Sequence, residues 1–281
     1  MRSDPQEGPL PDYTNPPVVE VILGIQFDRL PGFQNAHLGA FWKTLDATEW
    51  PTVSDAPPLE PQFENFAESA SWAKFAMHVK LTQDPSSRLQ IKNKAGNRMI
   101  QAQNSRLLFN WLGQAGGPYP RYRNVREGFV EILETFLAFV GREKLGEFRP
   151  NQWEVSYLNH IPRGTVWNTR SDWGFFRPFG GVPTIEGLLQ GESFNGEWHF
   201  VIPDQRGRLH VAWQHGRRSD PKKQEMIVLT LTARGPLEQN KKDVSAVLAG
   251  LDLGHATIVH AFQTFMADEA RQYWRSKDGS D

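Results

Sequence analysis

Cysteine is absent from this chain, which removes disulfide staples, thiolate nucleophiles and Cys-ligated zinc and leaves apolar packing to hold the core. Charge of one sign is missing too. Lys and Arg number 31 against 32 Asp and Glu, a net charge of -1, so no bulk field draws the chain toward nucleic acid or an anionic membrane. No run approaches the roughly 18 consecutive apolar residues of a membrane span. Met1 to Pro9 carry acids and prolines where a secretory leader needs an apolar centre, and the expectation is a cytoplasmic protein with no membrane partner. Reaction signatures are also lacking: there is no P-loop, dinucleotide fingerprint or zincin motif, and Gly191-Glu192-Ser193 lacks the spacing of a nucleophile elbow.

What is present is apolar and aromatic, 39% and 12% of the 281 residues, enough for a substantial core. One strand-like phrase occurs twice. Asn15-Pro16-Pro17-Val18-Val19-Glu20-Val21-Ile22-Leu23 opens one half and Trp153-Glu154-Val155-Ser156-Tyr157-Leu158-Asn159-His160-Ile161-Pro162 the other. Each is extended, β-branched or aromatic, and punctuated by proline. The reading is an α+β fold of two similar halves, each an antiparallel meander with a covering helix, which either share one sheet as a pseudo-duplicated single domain or pack as a pseudo-dimer. Residues 1–16 form a loose arm, 17–148 the first half and 149–281 the second.

In the first half the spacing predicts a strand over 17–28 and a helix over 37–48 with Asn35 as cap. A Pro-rich loop follows over 52–61. Strands are predicted over 72–81, 88–93, 98–103 and 106–111, then a helix over 123–139 whose Val125, Phe129, Ile132, Leu133, Phe136 and Phe139 share one face. The second half offers strands over 193–202, 208–215 and 225–233. A short helix over 244–248 stops at Gly250, and a longer one is capped by Asp252. Between these sets Trp167, Trp173, Phe175, Phe176 and Phe179 lie among Gly and Pro, a composition suited to an aromatic loop at a binding surface. Tyr273-Trp274 is positioned to fasten the tail onto the body.

Pro16-Pro17-Val18-Val19-Glu20-Val21, Ile100-Gln101, Asn110-Trp111 with Tyr119-Pro120, Tyr157-Leu158-Asn159-His160-Ile161 and Leu251-Asp252-Leu253-Gly254-His255 together resemble a sporadically distributed bacterial family of uncharacterised proteins. The likeness spans nearly the whole chain. The family brings no established activity. Its patchy distribution implies an accessory role such as defence or toxin control, by association only.

The candidate binding residues are Asn110, Trp111, Tyr119, Tyr157, Asn159 and His160; Asn110, Tyr157 and Asn159 hold matching late positions in their runs, which places them at a seam between the halves with Trp111 and His160 beside them. A polar residue at a strand end also serves turns, and that plainer role competes at Asn110 and Asn159. Strand alternation puts Tyr157 and Asn159 on one face and His160 on the other, so a site using all three needs a bulge. His199, His210 and His215 share a hairpin on which two could meet, but no ligand spacing supports a metal and none is expected. Asp252 and His255 read either as an acid–base pair or as a helix cap with a first-turn histidine. Arg121, Arg123 and Arg126, and separately Arg217, Arg218, Lys222 and Lys223, read as a phosphate-tracking surface or as solvated loops, the latter favoured.

Two functions remain. The leading one is a non-catalytic module recognising a protein partner, without cofactor. The alternative is an enzyme or sensor acting on a nucleotide or nucleic acid in the seam. An exposed apolar patch without convergent titratable groups favours the first, and a concave pocket with mutually oriented groups the second.

Overall fold

The central strand runs pair side by side in an antiparallel sheet because each carries an apolar face that aligned neighbours and covering helices hide together. The computed structural model describes residues 10–66, 87–113, 118–179, 192–218, 223–237, 243–274 and 276–277. The strand predicted over 72–81 lies outside the described residues, as do Gly191 and Lys222.

In chain order the elements are β1 (Asp12–Tyr13), β2 (Val18–Phe27), α1 (Asn35–Trp42), β3 (Thr52–Ala56), β4 (Arg88–Lys92), β5 (Arg98–Gln103), β6 (Arg106–Leu112) and α2 (Arg121–Arg142). There follow β7 (Pro150–Pro162), β8 (Gly196–Ile202), β9 (Gly207–Arg217), β10 (Glu225–Pro236), α3 (Val244–Phe265), α4 (Asp268–Tyr273) and β11 (Ser276–Lys277). The nine-stranded sheet runs β3-β4-β5-β6-β2-β7-β10-β9-β8. The α+β reading holds.

The two strands that repeat the same phrase, β2 and β7, lie side by side and antiparallel at the centre, with Leu23 opposite Val155 and a register shift between Val18 and Glu20. Outside them sit β6 and β10, the last strands of their meanders. Each is followed by a 22-residue helix, α2 after β6 and α3 after β10. Both helices cover the same sheet face. Phe136 of α2 meets Phe27 of β2, and α3 crosses β7 and β10. The stripe read for α2 is buried throughout.

Several expectations need correction. The loop expected over 52–61 holds β3, an exposed strand paired to β4 and bounded by Pro51 and Pro57, whose missing N–H groups suit a sheet edge. The first helix begins after Gln34 and stops at Trp42, where Thr44 Oγ1 donates to the Phe41 carbonyl. The expected break at Gly250 is absent: α3 runs unbroken from its cap, Asp243, whose carboxylate accepts from the Ala246 N–H at 2.8 Å. Gly250 and Gly254 are there for space, since a Cβ would stand 2.3 Å from Trp153 Cδ1 at the first and 2.7 Å from Trp153 Cζ3 at the second. Asp252 is therefore mid-helix. By length and composition α3 could cross a membrane, and here its Val247, Leu251, Ile258 and Phe262 are buried in the fold.

The aromatic loop is not a surface. Trp167, Trp173, Phe175 and Phe176 are buried, packed edge-on and tilted against Phe179, Phe194, Trp213 and His215 as an aromatic extension of the single core under the outer strands. The arm is not loose beyond Leu10 either: β1 pairs with β11, Asn15 N–H donates to the Trp274 carbonyl at 3.2 Å, and Tyr13 packs edge-on to Phe262. Of the tail pair, Trp274 is buried against Phe262 and Tyr273 is exposed.

On the opposite face a segment over 57–66 lies across polar strand residues. Gln62 N–H donates to Gln26 and Leu59 N–H to Gln103. Glu64, its side chain 3% exposed, accepts from Arg234 Nε at 3.0 Å and from Arg208, and contacts His210 Nε2 at 2.7 Å. Burial pushes its carboxyl up, but the His210 hydrogen bond and the neighbouring positive charge of His210 and Arg234 win and hold it down at about 2. Arg234 also binds Glu154 at 3.0 Å.

Candidate functional site

Where the two covering helices approach over β2 and β7, they leave a cavity of about 520 Å³. Its floor is Val18, Tyr157, Asn159 and Leu231. One wall is the turn into α2 with Tyr119, Arg121 and Tyr122, another is α3 with Asp252, His255, Ile258, Val259 and Phe262, and the segment from Leu10 to Pro16 closes the side. That volume lies within the range of small-molecule pockets.

The inner end is a chain of polar tips in an apolar surround. Tyr119 and Tyr157 hydroxyls are 3.0 Å apart, and Tyr157 Oη is 2.8 Å from His255 Nδ1. Tyr157 reaches upward because β7 alternation sends its side chain to the helix side of the sheet along with Val155 and Trp153. Burial raises its phenol well above the ordinary value, and Tyr119 is pushed up to about 12 by the same cause. Burial drives His255 the other way, down to about 4, against the pull of Asp252. All three groups are thus neutral near pH 7.

A second layer fixes the imidazole. Tyr122 lies flat against it and donates its hydroxyl to Asp252 Oδ1 at 2.8 Å. Arg126 grips the same carboxylate through Nε and Nη2 at 2.8 and 3.1 Å. At the rim Arg121 binds Asp12 at 2.7 Å and the Tyr13 carbonyl at 2.8 Å, while Arg123 pairs with Glu127. The first basic group, weighed as a phosphate track against a solvated loop, is therefore paired within the chain, and Arg217 likewise binds Glu225.

Of the residues singled out in the sequence, Tyr119, Tyr157 and Asn159 line the cavity, and Trp111 packs behind Tyr119 with centroids 5.2 Å apart. Asn159 anchors itself, its Nδ2 donating to the Leu229 carbonyl at 3.1 Å. Asn110 is elsewhere. Adjacent to Trp111 on β6, it must face the other way, where it donates to Glu20 at 2.6 Å and accepts from Gln101 at 2.9 Å. His160 is also on the far face, and the bulge near Val18 does not bring it round; burial and Arg218 lower its pKa. Asp252 and His255 do belong to the site, but through Tyr122 rather than as a capping pair. The strap residues Leu10 to Tyr13 were missed, although Tyr13 is an aromatic stranded in a polar, Pro-rich stretch.

His199 and His210 are directly opposed across β8 and β9 with Nδ1 atoms 2.8 Å apart. His210 turns its other nitrogen to Glu64, so the groups form a line rather than a convergent set, and His215 is apart, accepting from Phe194 N–H. Among the described residues no group of three or more His, Asp or Glu has metal-holding geometry. The chain matches no protein-family model, and no curated protein matches it.

Proposed function

We propose that this protein is a ligand-binding module whose site is the cavity between α2, α3 and the central strands β2 and β7, working as a sensor in a bacterial accessory system. The observation that carries the reading is the Tyr119, Tyr157 and His255 chain at the inner end of an otherwise apolar cavity, a concave pocket with mutually oriented polar groups. The hydroxyl beside His255 is that of Tyr157, a phenol that burial holds protonated, which favours binding over turnover. The paired arginines speak against a nucleotide. We further propose that the halves are a duplication, a view supported by the matching order of β2, β6 and α2 with β7, β10 and α3. The site then straddles the seam between the copies.

A thermal-shift screen running from apolar compounds to nucleotides tests the reading, with Val259→Trp filling the cavity. Stabilisation of the native protein that disappears in the filled variant is expected. Compounds that act equally on both proteins would remove the cavity as the site.

The protein-partner reading keeps one specific support. β8 is the edge of the described sheet, and it exposes Trp198, Phe200 and Val201 at 36%, 39% and 57%. An apolar edge strand is suited to receiving a strand from another chain.

A further inference from the structure

We propose that the seam cavity takes a neutral, largely apolar molecule bearing one hydroxyl head, of the alkylphenol or long-chain alcohol class, with the head seated at Tyr119, Tyr157 and His255. The inference rests on the reading of the cavity as a binding site and adds the chemistry of what fills it.

Charge decides first. A carboxylate or phosphate brought into the cavity needs a cation that is not already engaged, because a buried, unpaired anion is heavily penalised. The arginines on the wall are engaged: Arg121 holds Asp12 and the Tyr13 carbonyl, and Arg123 holds Glu127. Behind the wall, Arg126 is taken by both oxygens of Asp252. His255 is the remaining basic group at the inner end, and burial keeps it uncharged down to about pH 4. A cationic head fares no better, since Asp12 and Asp252 are neutralised by the same pairs. A neutral head is what this wall accepts.

Hydrogen bonding decides second. The Tyr157 hydroxyl has one hydrogen and two polar neighbours, so the chain has two senses. In one, Tyr119 donates to Tyr157, Tyr157 donates to His255 Nδ1, and the Tyr119 oxygen keeps a lone pair for a ligand. In the other, Nδ1 carries the proton and donates to Tyr157, Tyr157 donates to Tyr119, and Tyr119 is left to donate to a ligand. A hydroxyl both gives and accepts a hydrogen bond and so fits either sense. A simple ketone or ether fits only one.

Volume decides third. At about 30 Å³ per water-sized atom, about 520 Å³ corresponds to about 17 heavy atoms. The rest of the lining includes Val18, Leu231, Ile258, Val259 and Phe262, which match an alkyl or aryl body rather than a sugar.

Calorimetry with 4-heptylphenol, 4-heptylbenzoate and adenosine monophosphate tests the assignment. One 4-heptylphenol per chain is expected, with the benzoate at least about ten-fold weaker and the nucleotide silent. Tyr119→Phe should weaken the phenol about five-fold, the ratio carried by one hydrogen bond of ordinary strength. Tyr157→Phe serves as the second variant should Tyr119→Phe fail to fold, with a smaller loss in the same direction, since Tyr157 acts on the ligand through the Tyr119 hydroxyl. Absence of phenol binding, or binding of the benzoate or nucleotide as tight as the phenol, overturns the ligand class and leaves the cavity open to another ligand. Phenol binding undiminished in Val259→Trp overturns the class and the cavity together.

Discussion

Tyr122 lies on His255 with ring centroids 3.9 Å apart and planes 6° from parallel. The stack joins α2 to α3, and it ties the ring that faces the cavity to the carboxylate that Arg126 holds. A group fixed from both sides and kept neutral by burial makes folding sensitive to its protonation.

His255 has a folded-state pKa lowered from 6.5 to about 4. The unfolded chain therefore binds the extra proton first as the medium is acidified. The contribution of neutral His255 is fully present above about pH 6.5 and is lost as pH falls toward 4. His255→Gln is expected to flatten the fall in melting temperature over that window while other carboxylates and histidines titrate as before. Calorimetric melts of both proteins from pH 4 to 7.5 provide the check, and identical slopes would contradict it.

Glu64 is the converse case of a group held charged. Glu64→Ala should cost about 3–5 kcal/mol at pH 7, because it removes the buried counter-charge of Arg208 and leaves Arg234 with Glu154 alone. An exposed pair such as Arg142 and Glu143, broken by Glu143→Ala, should cost under about 1 kcal/mol. Because Glu64 titrates near 2 when folded, its contribution is complete above about pH 4.5 and fades below it. Urea unfolding of the two variants compares them directly.

Gly250→Ala runs against helix propensity. Alanine in a helix interior gains about 1 kcal/mol over glycine, yet the new Cβ meets the Trp153 ring at 2.3 Å, and overpacking of this kind costs about 1–3 kcal/mol. The expected outcome is net destabilisation in denaturant, reversed in sign when Trp153→Leu is already in place. A stabilised single variant would mean that α3 shifts freely on the sheet.

Asn159→Ala separates anchoring from ligand contact. Its amide donates to the Leu229 carbonyl across β7 and β10, so truncation should lower stability by about 1–3 kcal/mol. A ligand held by Tyr119 should still bind the folded fraction within about two-fold, since that change is below half of one hydrogen bond. Parallel melts and titrations read both quantities.

Strand bounds were legible because turns bracket the runs: Arg98 to Gln103 forms β5 as read, closed by Asn104-Ser105. Alternation also separated His160 from Tyr157 and Asn159. The same rule applied to Asn110 beside Trp111 would have removed Asn110 from the seam, where similarity of position had placed it. Gly250 misled because a glycine that stops a helix and one that makes room for an indole look alike in sequence. The aromatic run from Trp167 to Phe179 misled for a related reason, as Gly and Pro bend a chain equally well into a surface loop or around a core. The cavity itself needed contacts between residues far apart in sequence, Tyr122 with Asp252 and Tyr157 with His255, which no local pattern encodes.

The pairing of Asp12 with Lys277 and Tyr13 with Ser276 has a mechanical side. Strands that run antiparallel with both outward ends at the same rung are peeled, one rung at a time, by tension applied to those ends. Asp12 would leave Lys277 first, Tyr13 would follow, and the Asn15 link to Trp274 would come next. The sheet would be untouched through these events, because the load reaches β2 only afterwards. A pull on the two ends thus opens the side of the cavity before it deforms the floor, and the joint that yields first under that load is the one that guards the hollow.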